Sequence, residues 1–198
     1  MKRALFAAVL ALALTGAAAP SNPAALTCSS PVRKGDTAST LKARYGKQAR
    51  IMKIHAAEGE MVDGLALWPN DPKRRIDVFF DDGPMKRIAT LRITGAKSVW
   101  RIGGLGIGAT LPQVVATNGR AVTVGGCGWD YGGGVDPRGG KLAKWPGGCR
   151  IGLTMDVGAD VTNPPEGISG DGLLLNSGDP RLKAARPRVT HIYLNWRD

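Results

Sequence analysis

The residues best suited to chemistry lie in one glycine-rich stretch, residues 125–134, which reads GGCGWDYGGG. Cys127 offers a thiol that could act as a nucleophile or form a disulfide. Trp129 and Tyr131 offer aromatic rings of the kind that anchor contacts between proteins. Because glycines surround these side chains, the stretch is predicted to form a loop. Such a loop could take part in a reaction, bind a partner or serve only as a spacer between strands.

A nucleophilic Cys127 would need a neighbouring base, and the chain has two histidines, His55 and His191. Both histidines fall in predicted strands, and His191 is expected on the surface of a sheet. A cysteine–histidine nucleophile is therefore not favoured, and no enzymatic activity is predicted. Two histidines without a paired-cysteine motif also argue against a zinc site.

Three cysteines, Cys28, Cys127 and Cys149, follow the first 19 residues. The odd number leaves one of them free or paired with another molecule. Cys127 and Cys149 flank predicted neighbouring strands, and a disulfide between them would restrict the flexible glycine loop. We therefore predict a Cys127–Cys149 disulfide, with a pairing of Cys28 to either partner as the alternative.

Two further patterns could have indicated a bound group. Aspartates lie in several glycine-rich loops, but none fits a defined calcium-binding pattern, so they are interpreted as turn residues. Residues 103–108 read GGLGIG, yet they lack the Lys-Ser/Thr ending of a phosphate-binding loop. They are interpreted as a flexible link, and neither a metal nor a cofactor is expected.

The first 19 residues resemble an export signal. Lys2 and Arg3 precede an apolar run over residues 4–14, and small residues follow at 16–19. The run is shorter than the roughly 20 residues that a membrane-spanning helix needs. We expect cleavage after Ala18 or Ala19 and a soluble protein in the periplasm or extracellular space. Residues 25–28, ALTC, form a poor lipoprotein signal, so lipidation of Cys28 is not expected.

The chain is strongly basic. Loss of residues 1–19 would remove two of the 27 lysines and arginines, leaving 25 against 16 acidic residues and a net charge of +9. Such a charge favours anionic neighbours such as lipid head groups, acidic proteins or polymers. The basic residues are scattered, and most are interpreted as a solvated surface without specific recognition of nucleic acid.

Comparison of the chain with itself indicates a tandem duplication. A Gly-x-Thr segment followed at the same spacing by an aliphatic residue and a second glycine occurs twice. The matching positions are Gly35, Thr37, Leu41 and Gly46 in one copy, and Gly108, Thr110, Val114 and Gly119 in the other. The segments LALWP and LAKWP, at 65–69 and 142–146, follow in the same order, as do Arg-Ile and Arg-Val at 87–88 and 188–189.

The duplication predicts the domain organisation: an N-terminal segment (20–34), a first unit (35–97), a glycine-rich link (98–107) and a second unit (108–198). The second unit carries two insertions, near 125–140 and 158–187. Each unit is predicted to begin with a short capped helix that ends at Gly46 or Gly119. Strands are predicted at 50–57, 65–68, 76–80 and 87–93, and then at 121–124, 142–144, 150–156 and 188–194. The fold class is therefore α+β, with a helix packed on an antiparallel sheet of about four strands in each unit.

The Gly-x-Thr–helix–Gly segment followed by antiparallel strands resembles small outer-membrane assembly lipoproteins of the SmpA/OmlA type. Two such units in tandem resemble the β-lactamase-inhibitor-protein fold. Gly108, Thr110, Val114 and Gly119 carry the resemblance best. It implies helices packed on an antiparallel sheet and a role in binding proteins, but no partner or binding residue is transferred, because this chain lacks a clear lipobox and is strongly basic.

The function predicted from the sequence is that of a non-enzymatic exported envelope protein. It would bind another protein through a sheet face or through the second-unit loops, with Trp129 and Tyr131 as contact residues. Two alternatives remain open: charge-driven binding to an anionic polymer or membrane surface, and a hydrolase of unknown class.

Overall fold

The computed structural model describes residues 25–129 and 132–196. The predicted export signal, at residues 1–19, lies outside the described residues. The described chain combines three α-helices with antiparallel sheets of six and three strands, so the predicted α+β class is confirmed.

Two helices begin at threonine caps, near the start of each predicted unit. Helix α1 (Ala38–Tyr45) is capped by Thr37, and helix α2 (Leu111–Asn118) by Thr110. In both, the threonine side chain accepts a hydrogen bond from the third residue of the helix, whose own side chain bonds back to the cap main chain. Gly119 ends α2 in the left-handed conformation, with φ of 79°, which glycine adopts without steric cost. A third helix, α3, spans Pro180–Ala185.

The larger sheet contains strands from both parts of the chain. Its strands are β1 (Ala49–His55), β2 (Met61–Leu67), β3 (Ile76–Phe80), β4 (Ile88–Ile93), β7 (Arg150–Asp156) and β9 (Arg188–Asn195), in the order β1-β2-β3-β4-β9-β7. Every neighbouring pair is antiparallel. The β4–β9 pairing, with Leu91 opposite Leu194, joins the early strands to the late ones.

A row of aliphatic side chains crosses five of these strands and forms the centre of the core. In register, the row consists of Leu65, Val78, Leu91, Leu194 and Ile151, and all five are buried. Burial of such a side chain contributes roughly 1.5–3 kcal/mol. Leu41 of α1 and Val114 of α2 belong to the same apolar cluster, so both helices cover this face of the sheet.

The smaller sheet consists of β5 (Thr123–Gly125), β6 (Val135–Asp136) and β8 (Leu174–Asn176), in the order β6-β5-β8. Strand β8 and helix α3 lie in the segment 158–187, which the sequence predicts only as an inserted loop. The buried Leu175 explains the difference, because it pairs with Val124 of β5 and joins the core.

One predicted strand is wrong. Residues 142–144 are not a strand, because Lys141–Ala143 forms a 3₁₀ turn. The physical reason is the neighbourhood of Asn118: its side-chain oxygen accepts from the main-chain N–H of Leu142 at 3.2 Å. That N–H group is thereby satisfied without a partner strand.

The predicted Cys127–Cys149 disulfide is also wrong, because Cys149 pairs with Cys28, at a Cα–Cα distance of 5.4 Å, and Cys127 is a buried free cysteine. Main-chain and indole hydrogen bonds join the N-terminal segment to the link at 98–107 and to the residue that follows β9. Leu26 donates to the carbonyl of Arg101 at 2.7 Å, and the Trp196 indole donates to that of Cys28 at 3.0 Å. These contacts bring Cys28 to Cys149, a long-range proximity that spacing along the chain does not reveal.

Removal of this disulfide by Cys28→Ser with Cys149→Ser should lower the free energy of unfolding by about 2–4 kcal/mol. The expected loss is large because the bond closes a loop with a sequence separation of 121, which restricts the unfolded chain. Urea unfolding of the protein and the double variant measures the difference.

Peptide mapping without reduction provides the control for this prediction. Peptides containing Cys28 and Cys149 should be cross-linked, and Cys127 should be alkylated only after denaturation. A cross-linked pair that contains Cys127 would contradict the assignment.

Candidate binding site at the glycine-rich loop

Main-chain hydrogen bonds, within the loop and to neighbouring segments, hold the glycine-rich loop in place. Gly125 donates to the carbonyl of Gly134, and Gly133 donates to that of Gly126, both at 2.8 Å. Met155 of β7 donates to the carbonyl of Gly133, and Cys127 donates to that of Ile168, again at 2.8 Å. The ends of the loop are therefore extensions of the sheet structure and not a free spacer.

Three of the glycines permit close approach that a side chain would block. A Cβ atom on Gly133 would lie 1.7 Å from the carbonyl oxygen of Met155, and Gly133 has φ of 71°. A Cβ on Gly126 would lie 2.5 Å from the carbonyl oxygen of Gly170, and one on Gly132 would lie 2.6 Å from the Trp129 ring. The glycine content thus follows from the packing of this loop against β7 and its neighbours.

Trp129 lies at the tip of this loop. Its indole N–H donates to the carbonyl of Gly126 at 3.0 Å, while 38% of the residue remains exposed. The indole is therefore oriented by a hydrogen bond, and the residue remains partly exposed. Tyr131, the other predicted contact residue, lies outside the described residues.

A pocket of about 460 Å³ separates the loop from the turn between β1 and β2. Residues 56–59 form one wall, and Gly128, Trp129 and Gly132 form the other. Thr154, Met155 and Asp156 of β7, with Thr190 and His191 of β9, complete the lining. The sequence does not predict this juxtaposition, because the two walls are separated by some seventy positions of chain.

The shape of the sheet accounts for this juxtaposition. Arg92 of β4 donates a hydrogen bond to the main-chain carbonyl of His55, at the end of β1. These strands are three apart in the sheet order, a separation of about 14 Å in a flat sheet with a strand spacing of ~4.8 Å. A side chain cannot span that distance, so the face opposite the aliphatic row, here called the outer face, is concave.

Charged and aromatic groups stabilise this concave outer face. Arg92 pairs with the buried Asp77 at 3.3 Å, and Arg75 pairs with the same carboxylate at 2.9 Å. The Arg92 guanidinium also stacks over the Phe79 ring at 4.8 Å. Since the Arg92 side chain is only 12% exposed, its interactions are less screened by water than those of a surface ion pair.

His191 contributes a neutral imidazole to the pocket. Its Nδ1 lies 3.0 Å from the hydroxyl of Thr190, and its ring stacks on Tyr193. Burial lowers the pKa of His191 from its ordinary value, and the charge of Arg92 lowers it further, while Asp156 has the opposite effect. The sequence places His191 correctly in a strand, but it does not predict that His191 lies beside Asp156 and Trp129.

The Cys127 side chain is buried and does not line the pocket. Burial, and next the negative charge of Asp156, raise the pKa of the Cys127 thiol to about 11. The thiolate, which is the nucleophilic form, is therefore a minor species at neutral pH. Among residues 25–129 and 132–196, no group of three or more His, Cys, Asp or Glu side chains is placed to hold a metal ion.

Asp156 connects the loop to the pocket. Its Oδ1 accepts from the main-chain N–H of Gly128 at 3.1 Å and from its neighbour Val157 at 2.7 Å. Asp156 and Glu58 are the two carboxylates of the lining, and no lysine or arginine is among the described residues that line the pocket. In a protein with 27 basic residues and 16 acidic ones, the two charged lining residues of this pocket are both acidic.

Within residues 25–129 and 132–196, no helix is both long enough and apolar enough to cross a membrane.

The substitution Gly133→Ala should lower the free energy of unfolding by about 2 kcal/mol or more. The added methyl group would collide with the Met155 carbonyl and would have to be accommodated at a positive φ. Gly134→Ala is the matched control, because a Cβ there meets nothing within 4 Å. Urea unfolding compares the two, and equal losses would contradict the packing described for this loop.

His191 should make the protein less stable in mild acid. Because the pKa of His191 is lower in the folded protein than its ordinary value of 6.5, the unfolded chain binds the proton more tightly. Stability is unaffected by this group above about pH 6.5 and falls as the pH decreases below it.

The variant His191→Gln isolates this contribution from that of the carboxylates. Lowering the pH from 7.5 to 5 should reduce the unfolding free energy of the protein more than that of the variant. A difference that stays constant over this range would contradict the assignment.

No protein-family model, no curated protein and no solved structure matches this chain. The resemblance to SmpA/OmlA-type lipoproteins and to the β-lactamase-inhibitor-protein fold therefore stays a prediction from the sequence.

Proposed function

We propose that this is an exported envelope protein without enzymatic activity, and that it binds another protein through the pocket between the glycine-rich loop and the β1–β2 turn. The observation that carries the proposal is Trp129, a partly exposed tryptophan on a loop fixed by main-chain hydrogen bonds. Tryptophan is among the residues that most often dominate binding energy at protein interfaces. A fixed loop also loses little conformational entropy when it binds.

The lining of the pocket suggests the chemistry of the contact. Glu58 and Asp156 supply negative charge, and Trp129 supplies an aromatic surface. A lysine or arginine side chain of the partner fits this combination, because carboxylates and an aromatic face both attract a cation. A volume of about 460 Å³ is within the range of roughly 300–1,000 Å³ typical of ligand pockets.

The tandem organisation belongs to the same proposal. Helices α1 and α2 share the threonine capping box and end at Gly46 and Gly119, and this similarity supports two related units at 35–97 and 108–198. In this interpretation, the glycine-rich loop is an addition to the second unit, and the first unit contributes the opposing turn. The binding site then lies between the units and needs both.

Replacement of Trp129 by alanine should weaken binding to the partner at least tenfold, because removal of a dominant interface residue costs 2 kcal/mol or more. The mature protein is immobilised, and partners are captured from an envelope extract at low and high salt. The captured protein is then purified and titrated with each variant.

The matched control is Leu174→Ala, which removes a side chain that is 71% exposed and does not line the pocket. Glu58→Gln should weaken binding less than Trp129→Ala, and Leu174→Ala should have no effect. Equal affinity for all three variants would exclude the pocket as the binding site. Retention that disappears entirely at high salt would favour the alternative of charge-driven binding to an anionic surface.

A further inference from the structure

A second cavity lies beside helix α2 and shares no lining residue with the pocket at Trp129. It is a groove of about 600 Å³ between α2 and the segment that contains α3. Leu111, Pro112 and Val115 of α2 form one wall, and Leu182 and Pro187 contribute to the other. Ala121, an exposed residue, lies on its lining as well.

Residues of the hydrophobic core form part of both walls of this groove. Leu111 and Leu182 are buried in the central apolar cluster. Main-chain hydrogen bonds join the two walls at one point, where Val189 donates to the carbonyl of Ala109 at 2.9 Å and Gly108 donates to that of Val189 at 2.8 Å. The groove is therefore largely formed before any ligand binds, as is usual for small-molecule sites.

All charged residues of the lining are basic. They are Lys183, Arg186 and Arg188, and no acidic residue is among the described residues that line the groove. Arg186 forms an ion pair with Asp160 at 3.1 Å. Lys183 and Arg188 have no ion-pair partner within 4.0 Å among the described residues, so both remain available to an anionic ligand.

We propose that this groove binds the anion of a long-chain fatty acid. The apolar walls match the hydrocarbon chain, and the cations at the end of α3 and the start of β9 match the carboxylate. Charge-assisted hydrogen bonds from lysine or arginine to a carboxylate are among the stronger polar contacts in proteins. The site is separate from the pocket at Trp129 and does not depend on the function proposed for it.

The proposal predicts a chain-length dependence. Each buried methylene group contributes about 0.8 kcal/mol, so affinity should rise roughly fourfold per methylene from decanoate to tetradecanoate. The mature protein is titrated with these fatty acids in competition with a fluorescent fatty acid. Tetradecanol, with the same chain and no charge, should bind at least tenfold more weakly than tetradecanoate, and acetate should not compete.

Two variants test the location of the site. Ala121→Phe places a ring in the groove from an exposed position and should reduce binding of tetradecanoate at least tenfold. Lys183→Gln with Arg188→Gln should reduce binding of tetradecanoate but leave that of tetradecanol unchanged. The control, Lys34→Gln with Lys97→Gln, removes the same charge from exposed positions outside the groove and should bind tetradecanoate normally.

Urea unfolding verifies that each variant is folded before its affinity is interpreted. Equal binding of tetradecanoate and a cationic amphiphile of the same chain length would overturn the proposal, because it would show no role for charge. Undiminished binding in folded Ala121→Phe would overturn it as well, because the ligand would then lie elsewhere.

Discussion

The pairing of β4 with β9 is the interaction on which the rest of the structure depends. It places Leu91 opposite Leu194 and continues the buried aliphatic row from the early strands into the late ones. Without this pairing, the four strands β1 to β4 would be separated from strands β7 and β9. Each group would then expose apolar side chains at an unpaired edge. Because the pairing is long-range, its free energy must offset the entropy of closing a loop of about a hundred residues. The Cys28–Cys149 disulfide further restricts the unfolded chain.

The continuous sheet has a consequence for the outer face. As strands twist relative to one another, a six-stranded sheet curves, and its ends approach across the concave side. The contact from Arg92 to the carbonyl of His55 lies inside this curve, and the ion pairs of Asp77 stabilise it. The β1–β2 turn consequently faces the glycine-rich loop, and a pocket results where two unrelated segments meet.

The two cavities differ in charge although they belong to one basic protein. The pocket at Trp129 is lined by two carboxylates, whereas the groove beside α3 is lined by three cations. The net charge of the protein therefore does not predict the charge of the side chains that line either cavity. Long-range attraction to anionic surfaces follows from the total charge, but selectivity depends on the side chains that the fold collects locally.

The local structure follows from neighbouring residues in the sequence. Thr37, Thr110 and Gly119 specify where helices begin or end, because capping and left-handed conformations depend on neighbouring residues alone. The predicted strands at 76–80, 87–93 and 150–156 agree with β3, β4 and β7 at or within one residue of their bounds. The prediction failed where a distant contact decides, as for the turn Lys141–Ala143, whose main chain bonds to Asn118.

The cysteine pairing and the lining of the two cavities depend on the tertiary fold. Spacing along the chain favours Cys127 as the partner of Cys149, but contacts of the N-terminal segment bring Cys28 to Cys149 instead. The sequence predicts Trp129 as a contact residue, because an aromatic residue among glycines is conspicuous without any structure. It could not identify Glu58, Asp156 and His191 as its neighbours, because their proximity results from sheet order and curvature, which depend on the summed packing of the core and not on any local pattern.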